Sequence, residues 1–435
     1  MSAGRGAVTN TAKNVALVAL VVLLAIQCVA IWLNGLNIAQ LSADSMLRRV
    51  HDQLFGGAVG YELRASGVAA AEPAQIALRA EGEMRAVQYN PSEVDAGIQA
   101  VTDLFGSAFS AAGTFYESDE DALNAALAEG DCAVLRYHGA IPVGILAGWM
   151  GGSCSSDLSA QSVLLFRDTN QIFVRTDTGA LQVASTRVED GVFSRAVRQF
   201  HGVACTFSGT EYTVYPETLL FEREALSFDL IQSVPLHLFD PQGDSSLQTL
   251  LSAFGYTPYA RSYPEQNGAV TVYVNDASTL RVAEDGTVEY SASVGGTLTA
   301  YDKGEADGVE ARGAQIDCAR VVLDAALRAV GVETQATLYS VGEQDGMTRL
   351  VFYQSYGGVP VLDETDFASF VFDGGTLLSA RVALRRFETV TPAQRRTVLP
   401  ARQAAAGADG TRRALLVAYR QGDDGLYRPE RFFMK

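Results

Sequence analysis

The chain has 435 residues, of which 48% are hydrophobic and 19% are charged. This composition excludes an intrinsically disordered protein, and the length suits roughly two to four domains. The 33 basic and 50 acidic residues give a formal net charge of −17. Nucleic acid is therefore excluded as a partner, because such a surface repels phosphate backbones.

The first element in chain order is an apolar run over residues 15–33, in which Gln27 is the clearly polar side chain. A helix of this length spans roughly 28 Å, close to the thickness of a bilayer core. The run therefore predicts a transmembrane helix over residues 14–34. The alternative is a cleaved signal peptide, whose apolar core is usually shorter, about 7–15 residues.

The charges around this run predict its orientation. Arg5 and Lys13 lie before it, in a predicted cytoplasmic tail of residues 1–13, and the first charge after it is Asp44. Basic residues favour the cytoplasmic side of a membrane, so we expect about 400 residues on the outer side. The predicted location is the cell membrane, crossed once, with an extracellular C-terminal part.

The predicted span also carries a candidate contact with another membrane helix. An amide in lipid seeks a hydrogen-bond partner, and small residues let two helix backbones approach. Gln27, together with Ala19 and Ala30, is therefore the predicted transmembrane partner-binding group. The alternative is that the amide bonds to its own backbone or has no specific partner.

Residues 35–73 follow as a helical stalk and a linker, before an N-terminal ectodomain over residues 74–240. In this ectodomain Pro91 begins an amphipathic helix, and a second helix starts near Ser118 and ends at Gly130. Alternating apolar residues predict strands over residues 132–137, 162–166, 171–175, 181–185 and 211–215.

The next part of the chain repeats one order of elements. A helical stripe closed by Gly255 is followed by strands around an Asn267-Gly268 turn. A second stripe, closed by Gly331, is followed by strands around an Asp345-Gly346 turn. The two turns lie 78 residues apart, which is too long for a solenoid repeat and indicates duplicated domains.

The predicted fold class is α+β: a single N-terminal transmembrane helix followed by several ectodomain units. Each unit is a helix packed on a small antiparallel sheet, since neither layer could bury its apolar side alone. We expect two such units over residues 241–303 and 304–390, and a partial terminal unit over residues 391–435.

The sequence offers no recognisable catalytic or metal-binding group. Its four histidines lack the spacing of a helical metal pair. The loop that contains Ser153 and Cys154 is not a nucleophile elbow, because position 155 is serine where that motif needs glycine. The acidic clusters at residues 117–121 and 363–366 are typical of solvated turns, with Ca²⁺ binding or the action of paired carboxylates as the alternatives. We therefore predict a protein that is not an enzyme and has no cofactor.

The cysteines are too widely spaced for a metal knuckle or a dense disulfide framework. Free buried thiols are the favoured interpretation, and one or two disulfides are the alternative. The five residues are Cys28, Cys132, Cys154, Cys205 and Cys318.

Four motifs are similar to those of a known family: Ile141-Pro142 after an apolar strand, Val272-Tyr273-Val274, residues 280–290 and residues 352–361. The last of these looks like the strand and loop of a PepSY-type domain. In element order and length the chain resembles the YycH family, with YycI- and PepSY-like C-terminal units. Members of that family are membrane-anchored regulators of the WalK-type sensor histidine kinase in Gram-positive bacteria.

One motif departs from the family pattern. Tyr427-Arg428-Pro429 resembles the closing strand of a PepSY-like unit. Glu430-Arg431 follows where the pattern would have tryptophan, which puts a complete final unit in doubt.

The resemblance implies a regulator of a cell-wall-related two-component system, with a sensor histidine kinase and a YycI-like sister regulator as partners. Tyr353, Tyr356 and Gly357 are the predicted partner-binding residues of the ectodomain. A sheet strand running into a glycine loop is the structural alternative for them. The alternative functions are a PepSY-type inhibitor of an envelope protease or wall hydrolase, and an envelope scaffold.

Overall fold

The computed structural model of the chain describes residues 70–433, apart from residues 129, 223–225, 237, 240–243, 258, 293–297, 302–303, 305, 333–335 and 363–365.

The N-terminal part is an antiparallel sheet. In spatial order its strands are β9 (Leu219–Phe221), β8 (Val203–Phe207), β2 (Glu83–Gln88), β1 (Gln75–Ala80), β4 (Cys132–Pro142), β5 (Ser159–Phe166), β6 (Gln171–Thr176), β7 (Leu181–Ser185) and β3 (Tyr116–Ser118).

Helices α1 (Pro91–Ser110), α2 (Glu120–Ala128), α3 (Val143–Trp149) and α4 (Asp190–Gln199) accompany this sheet. Helix α1 packs against β1, β2, α3 and α4. Helix α2 buries Leu123 in a core cluster with Val134 of β4 and Phe173 of β6. Leu135, next to Val134, is also buried and points to the opposite face, because side chains alternate along a strand.

Most of the predicted N-terminal elements are confirmed. The first helix begins at Pro91, and the second is capped by the Asp119 carboxylate, which accepts a hydrogen bond from the Ala122 N–H at 2.8 Å. The strand predicted over residues 211–215 is wrong. Those residues form an irregular loop, which places Glu217 against two buried arginines of the sheet.

The repeated part of the sequence forms one sheet. Its first unit is helix α5 (Asp244–Ala253) followed by strands β12 (Arg261–Glu265), β13 (Val270–Val274), β14 (Ser278–Ala283) and β15 (Thr287–Ala292). Its second unit is α6 (Gly308–Ala329) followed by β16 (Ala336–Gln344), β17 (Met347–Tyr356), β19 (Ala368–Asp373) and β20 (Thr376–Ala383).

The two units join through their last strands. Antiparallel pairing of β15 with β20 gives the order β12-β13-β14-β15-β20-β19-β17-β16. The last strands of the two units are therefore adjacent, and their first strands lie at the two ends of this order. Tyr290 faces Ala380 across this junction, and α5 packs against α6. The units are therefore related by an approximate two-fold arrangement.

Both unit helices end in the same way. Gly255 and Gly331 have φ of 77° and 68°, a conformation that glycine adopts without strain. The following residues, Tyr256 and Val332, donate backbone hydrogen bonds to Leu251 and Leu327 at 2.9 and 3.0 Å, which is the Schellman pattern. The predicted helix ends are therefore confirmed.

Strand β4 links the two sheets. Its first half pairs with β1 and β5, and Ala140 near its end pairs in parallel with Ser340 of β16. Glycine is required between these parts, because a Cβ at Gly139 would lie 1.8 Å from the carbonyl oxygen of Tyr339.

The C-terminal residues complete a third group of strands. β18 (Val359–Val361) pairs with β17 and, in parallel, with β23 (Leu415–Gln421). β23 pairs with β24 (Leu426–Phe433), β24 pairs with β11 (Ile231–Val234), and β11 pairs with β21 (Arg386–Thr389). β10 (Ser227–Asp229) pairs with β22 (Arg395–Thr397), and α7 (Ala401–Ala406) packs on β9.

The predicted fold class is wrong. The described residues form one large mixed sheet, joined across the units by β15–β20, β4–β16 and β18–β23, instead of a series of separate helix-on-sheet units. The physical reason is that each unit leaves an open strand edge, and the edges satisfy one another's backbone groups. None of the seven α-helices in the described ranges is long and apolar enough to cross a membrane, and the predicted span lies outside those ranges.

We expect the two units to lose structure together, because they share one sheet. Ala380→Lys would place a charge between Tyr290 and Phe370 and should cost several kcal/mol, roughly 3 or more. Hydrogen exchange should then show lower protection in β13 and β17 alike. Ser379→Lys, on the opposite face, is the matched control with little expected effect. Loss of protection confined to one unit would show that the units fold independently.

Candidate functional site

A cleft of about 1090 Å³ opens beside the point where β4 ends. Its walls come from the end of α1, residues 112–115, helix α3, residues 152–158 and Val309 in the first turn of α6. The cleft therefore brings together segments from the N-terminal sheet and from the second repeated unit. Large concave sites of this kind are the default candidates for binding.

Helix α3 exposes its backbone to the cleft. It begins directly after Pro142 and ends at Trp149, and Gly151, whose φ is 71°, follows two residues later. A Cβ at Gly144 would lie 2.6 Å from Val309 Cγ2 and 2.8 Å from the Cys154 carbonyl oxygen, so glycine permits this close packing. A Cβ at Gly148 would meet nothing within 4 Å, so this part of the floor is open.

The segment of residues 152–158 forms the opposite wall, and we call it the Ser-rich segment. Its start is held against α1 at Gly152, where a Cβ would lie 2.3 Å from the Gly106 carbonyl oxygen. Ser110 Oγ donates to the Gly106 carbonyl at 2.9 Å and accepts from the Ser153 N–H at 3.1 Å. The wall is therefore anchored at its first residues.

The lining of the cleft contains few ionisable side chains. Its polar side chains are mainly hydroxyls, with the half-buried Cys154 thiol and the Asp157 carboxylate. Asp157 is exposed and lies 3.5 Å from Arg312 Nη1. Within the described ranges no group of three or more His, Cys, Asp and Glu side chains could hold a metal ion. The lining can hydrogen-bond and pack against a ligand through hydroxyl, backbone and apolar groups.

A buried ion cluster holds the loop before β9 against the sheet. Arg175 donates through Nε to Glu217 Oε1 at 2.6 Å and through Nη1 to Glu120 Oε1 at 2.7 Å. Arg136 Nη2 donates to the Glu217 backbone carbonyl at 3.2 Å and lies 3.7 Å from its carboxylate. The side chains of Arg175 and Glu217 are completely buried. Because water does not reach these charges, each is compensated by its partner within the protein.

The electrostatics of this cluster keep Glu217 ionised. Burial alone would raise the pKa of Glu217, but Arg175 and Arg136 together lower it below its ordinary value. Burial lowers the pKa of Arg136, and Glu217 opposes that effect. Because the carboxyl pKa is lower in the folded state, this stabilisation is present at neutral pH and is lost as the pH falls below about 4.

A second buried group surrounds His138 on β4. Its Nδ1 lies 3.4 Å from the Tyr353 hydroxyl, and its ring lies 5.9 Å from the ring of Tyr89. Burial lowers the pKa of His138 to about 3, against a small opposing effect of the Val417 backbone. The imidazole is therefore neutral in the folded protein at physiological pH.

Of the predicted ectodomain site residues, Tyr353 lines the small cavity that contains His138, and none of the three lines the cleft. Tyr353 is buried against His138, and burial raises its pKa. Tyr356 is half-buried, with its hydroxyl 3.1 Å from Thr389 Oγ1, and Gly357 is exposed with φ of 57°. The three residues are close in sequence but differ in accessibility, and the proposal that they bind a partner remains a prediction.

The other residues that were singled out in the sequence fall into two groups. Ala19, Gln27 and Ala30 lie outside the described residues. The four described cysteines are free thiols, as favoured from the sequence, and burial raises the pKa of Cys132, Cys205 and Cys318 to about 12.

Sequence reasoning missed the cleft, because its lining comes from segments as far apart as residues 109 and 309. The available signal was the run of glycine and serine after α3, which the sequence indicates as a loop.

The chain matches no protein-family model, and comparisons with the curated proteins and with the solved structures found no match.

Removing the buried carboxylate should destabilise the fold. Glu217→Gln keeps the shape but leaves two buried arginines without this counter-charge, and losing one partner of a buried ion pair costs about 3–5 kcal/mol. Urea denaturation at neutral pH would measure the free energy of unfolding. Glu222→Gln, at an exposed position nearby, is the control. A loss as small as that of the control would contradict the assigned role of the cluster.

Acid should destabilise the protein through His138. Its pKa is about 3 when folded and about 6.5 when unfolded, so between these values the unfolded state binds more protons. The free energy of unfolding therefore has its full value above about pH 6.5. It decreases as the pH falls, by up to about 1.4 kcal/mol per pH unit from this group. Tyr89, Tyr353 and Glu72, which lines the same small cavity, are the titratable groups facing it.

The measurement is urea denaturation of wild type and His138→Phe at several values between pH 7.5 and pH 5. The variant should show a flatter profile over this range. His201→Phe, at an exposed position, should keep the wild-type profile. Parallel profiles for wild type and His138→Phe would disprove the assignment.

Proposed function

We propose that the protein is an extracytoplasmic regulator that binds and modulates a sensor histidine kinase of the WalK type. The resemblance of the element order to the YycH family supports the partner class. The observation that carries the proposal is the open cleft of about 1090 Å³, whose lining suits binding of a polypeptide segment. The predicted membrane anchor, residues 14–34, remains an inference from the sequence.

The proposed mechanism is a population shift. A regulator changes kinase activity only if it binds one kinase conformation more tightly than the other, and a tenfold preference corresponds to about 1.4 kcal/mol. A rigid binding surface suits this task, because little ordering free energy is then lost on association. The cleft walls are held by close approaches of backbone, such as Gly106 with Gly152 and Gly144 with Cys154.

Filling the cleft should weaken capture of the kinase. Gly148→Leu places a side chain in open space on an exposed helical position, so the fold should tolerate it. Gly191→Leu is the matched control, because Gly191 is also helical and exposed and its added Cβ would meet nothing within 4 Å.

The tagged full-length chain would be purified from its native membranes and the co-purified proteins quantified by mass spectrometry. We expect a histidine kinase with wild type and Gly191→Leu, and at least about fivefold less with Gly148→Leu. Equal recovery with all three chains would place the contact elsewhere and contradict the role of the cleft. Recovery of an envelope peptidase or wall hydrolase in place of a kinase would contradict the regulator function and support that of an inhibitor.

A further inference from the structure

The Ser-rich segment has the pattern of a β-strand that lacks a partner. Residues 152–158 alternate between half-buried and exposed positions without interruption, and the chain then continues directly into β5. Alternation with a period of two is the pattern of a strand with one side against a surface. Nevertheless the segment forms no ladder with any strand of the described ranges.

Backbone groups of this segment are available for pairing. The Ser153 N–H bonds to Ser110 Oγ and the Leu158 N–H to Ser156 Oγ, but the four N–H groups between them have no hydrogen-bond partner within the described ranges. The Cys154 carbonyl faces Gly144 of α3. Strand geometry therefore directs the backbone groups of Ser155 and Asp157 to the side opposite α3.

The lining also indicates the chemistry of the occupant. Among the residues of the cleft, Asp157 carries the charge, and it lies 3.5 Å from Arg312. A cleft so poor in charge, in a chain of net charge −17, suits an uncharged ligand. Phe109, Phe115 and Leu158 supply apolar surface for its side chains.

We propose that the Ser-rich segment is completed by an extended, uncharged peptide segment of a partner protein, which adds as a strand and lies along the cleft. Strand addition uses the backbone groups of an unpaired strand for affinity and adjoining surfaces for side-chain selection. The inference rests on the proposed function for the identity of the partner, the outer domain of the kinase. The binding mode itself follows from the segment and the cleft.

The test is selection of a random peptide library, displayed on phage, against the full-length chain. Wild type should enrich uncharged peptides that, once synthesised, protect the amides of Ser155 and Asp157 from hydrogen exchange. Ser155→Pro, which removes one backbone donor at an exposed position with negative φ, should weaken binding about tenfold or more. Ser155→Ala removes only the hydroxyl and should bind like wild type.

Three results would overturn the inference: no enrichment, enrichment of charged peptides only, or equal binding by Ser155→Pro and Ser155→Ala. Circular dichroism and the thermal midpoint of each variant would verify that the fold is intact. Failure of the proposed function is distinguishable. Peptide binding that depends on Ser155, without capture of any kinase, would contradict the proposed regulator function and support the strand site. Kinase capture that Ser155→Pro leaves unchanged would support the regulator function and contradict the strand site.

Discussion

Strand β4 joins the N-terminal strands and the strands of the two units into one sheet, and the close approach at Gly139 makes this possible. Any side chain there would collide with the carbonyl of Tyr339, so the N-terminal sheet and the two-unit sheet could not meet as they do. All eleven residues of the strand are buried, and its end leads through Pro142 directly into α3 and the cleft. The relation between the fold and the candidate site is therefore set by one strand and its single crossing point.

The same strand positions the two buried polar groups of the N-terminal half. Arg136 and His138 are two residues apart, and each meets a partner from a distant part of the chain, Glu217 and Tyr353. Burial disfavours the charged form of both, but only Arg136 has a carboxylate that compensates its charge. The arginine therefore stays charged within a cluster, whereas the imidazole stays neutral and makes the packing around His138 sensitive to acid.

The cleft and the two-unit sheet illustrate one constraint: backbone hydrogen-bonding groups need partners. In the repeated units the last strands satisfy each other, and β16 meets β4. The open edge of β12 is limited by Pro264, which lacks an N–H. In the part of the chain that the structure describes, no strand pairs with the Ser-rich segment, and the segment contains no proline.

Local features were predictable from the sequence because they depend on neighbouring residues. Pro91 begins a helix, Gly255 and Gly331 end helices in a left-handed conformation, and Asp345-Gly346 forms a tight turn, as the patterns indicate. The repeated order of one helix followed by several strands was also visible. The joining of the units into one sheet, the pairing of Arg175 with Glu217 and the cleft were decided by tertiary structure alone. Strand edges and buried charges find partners by position in space, and no local pattern specifies which of many edges or charges will meet.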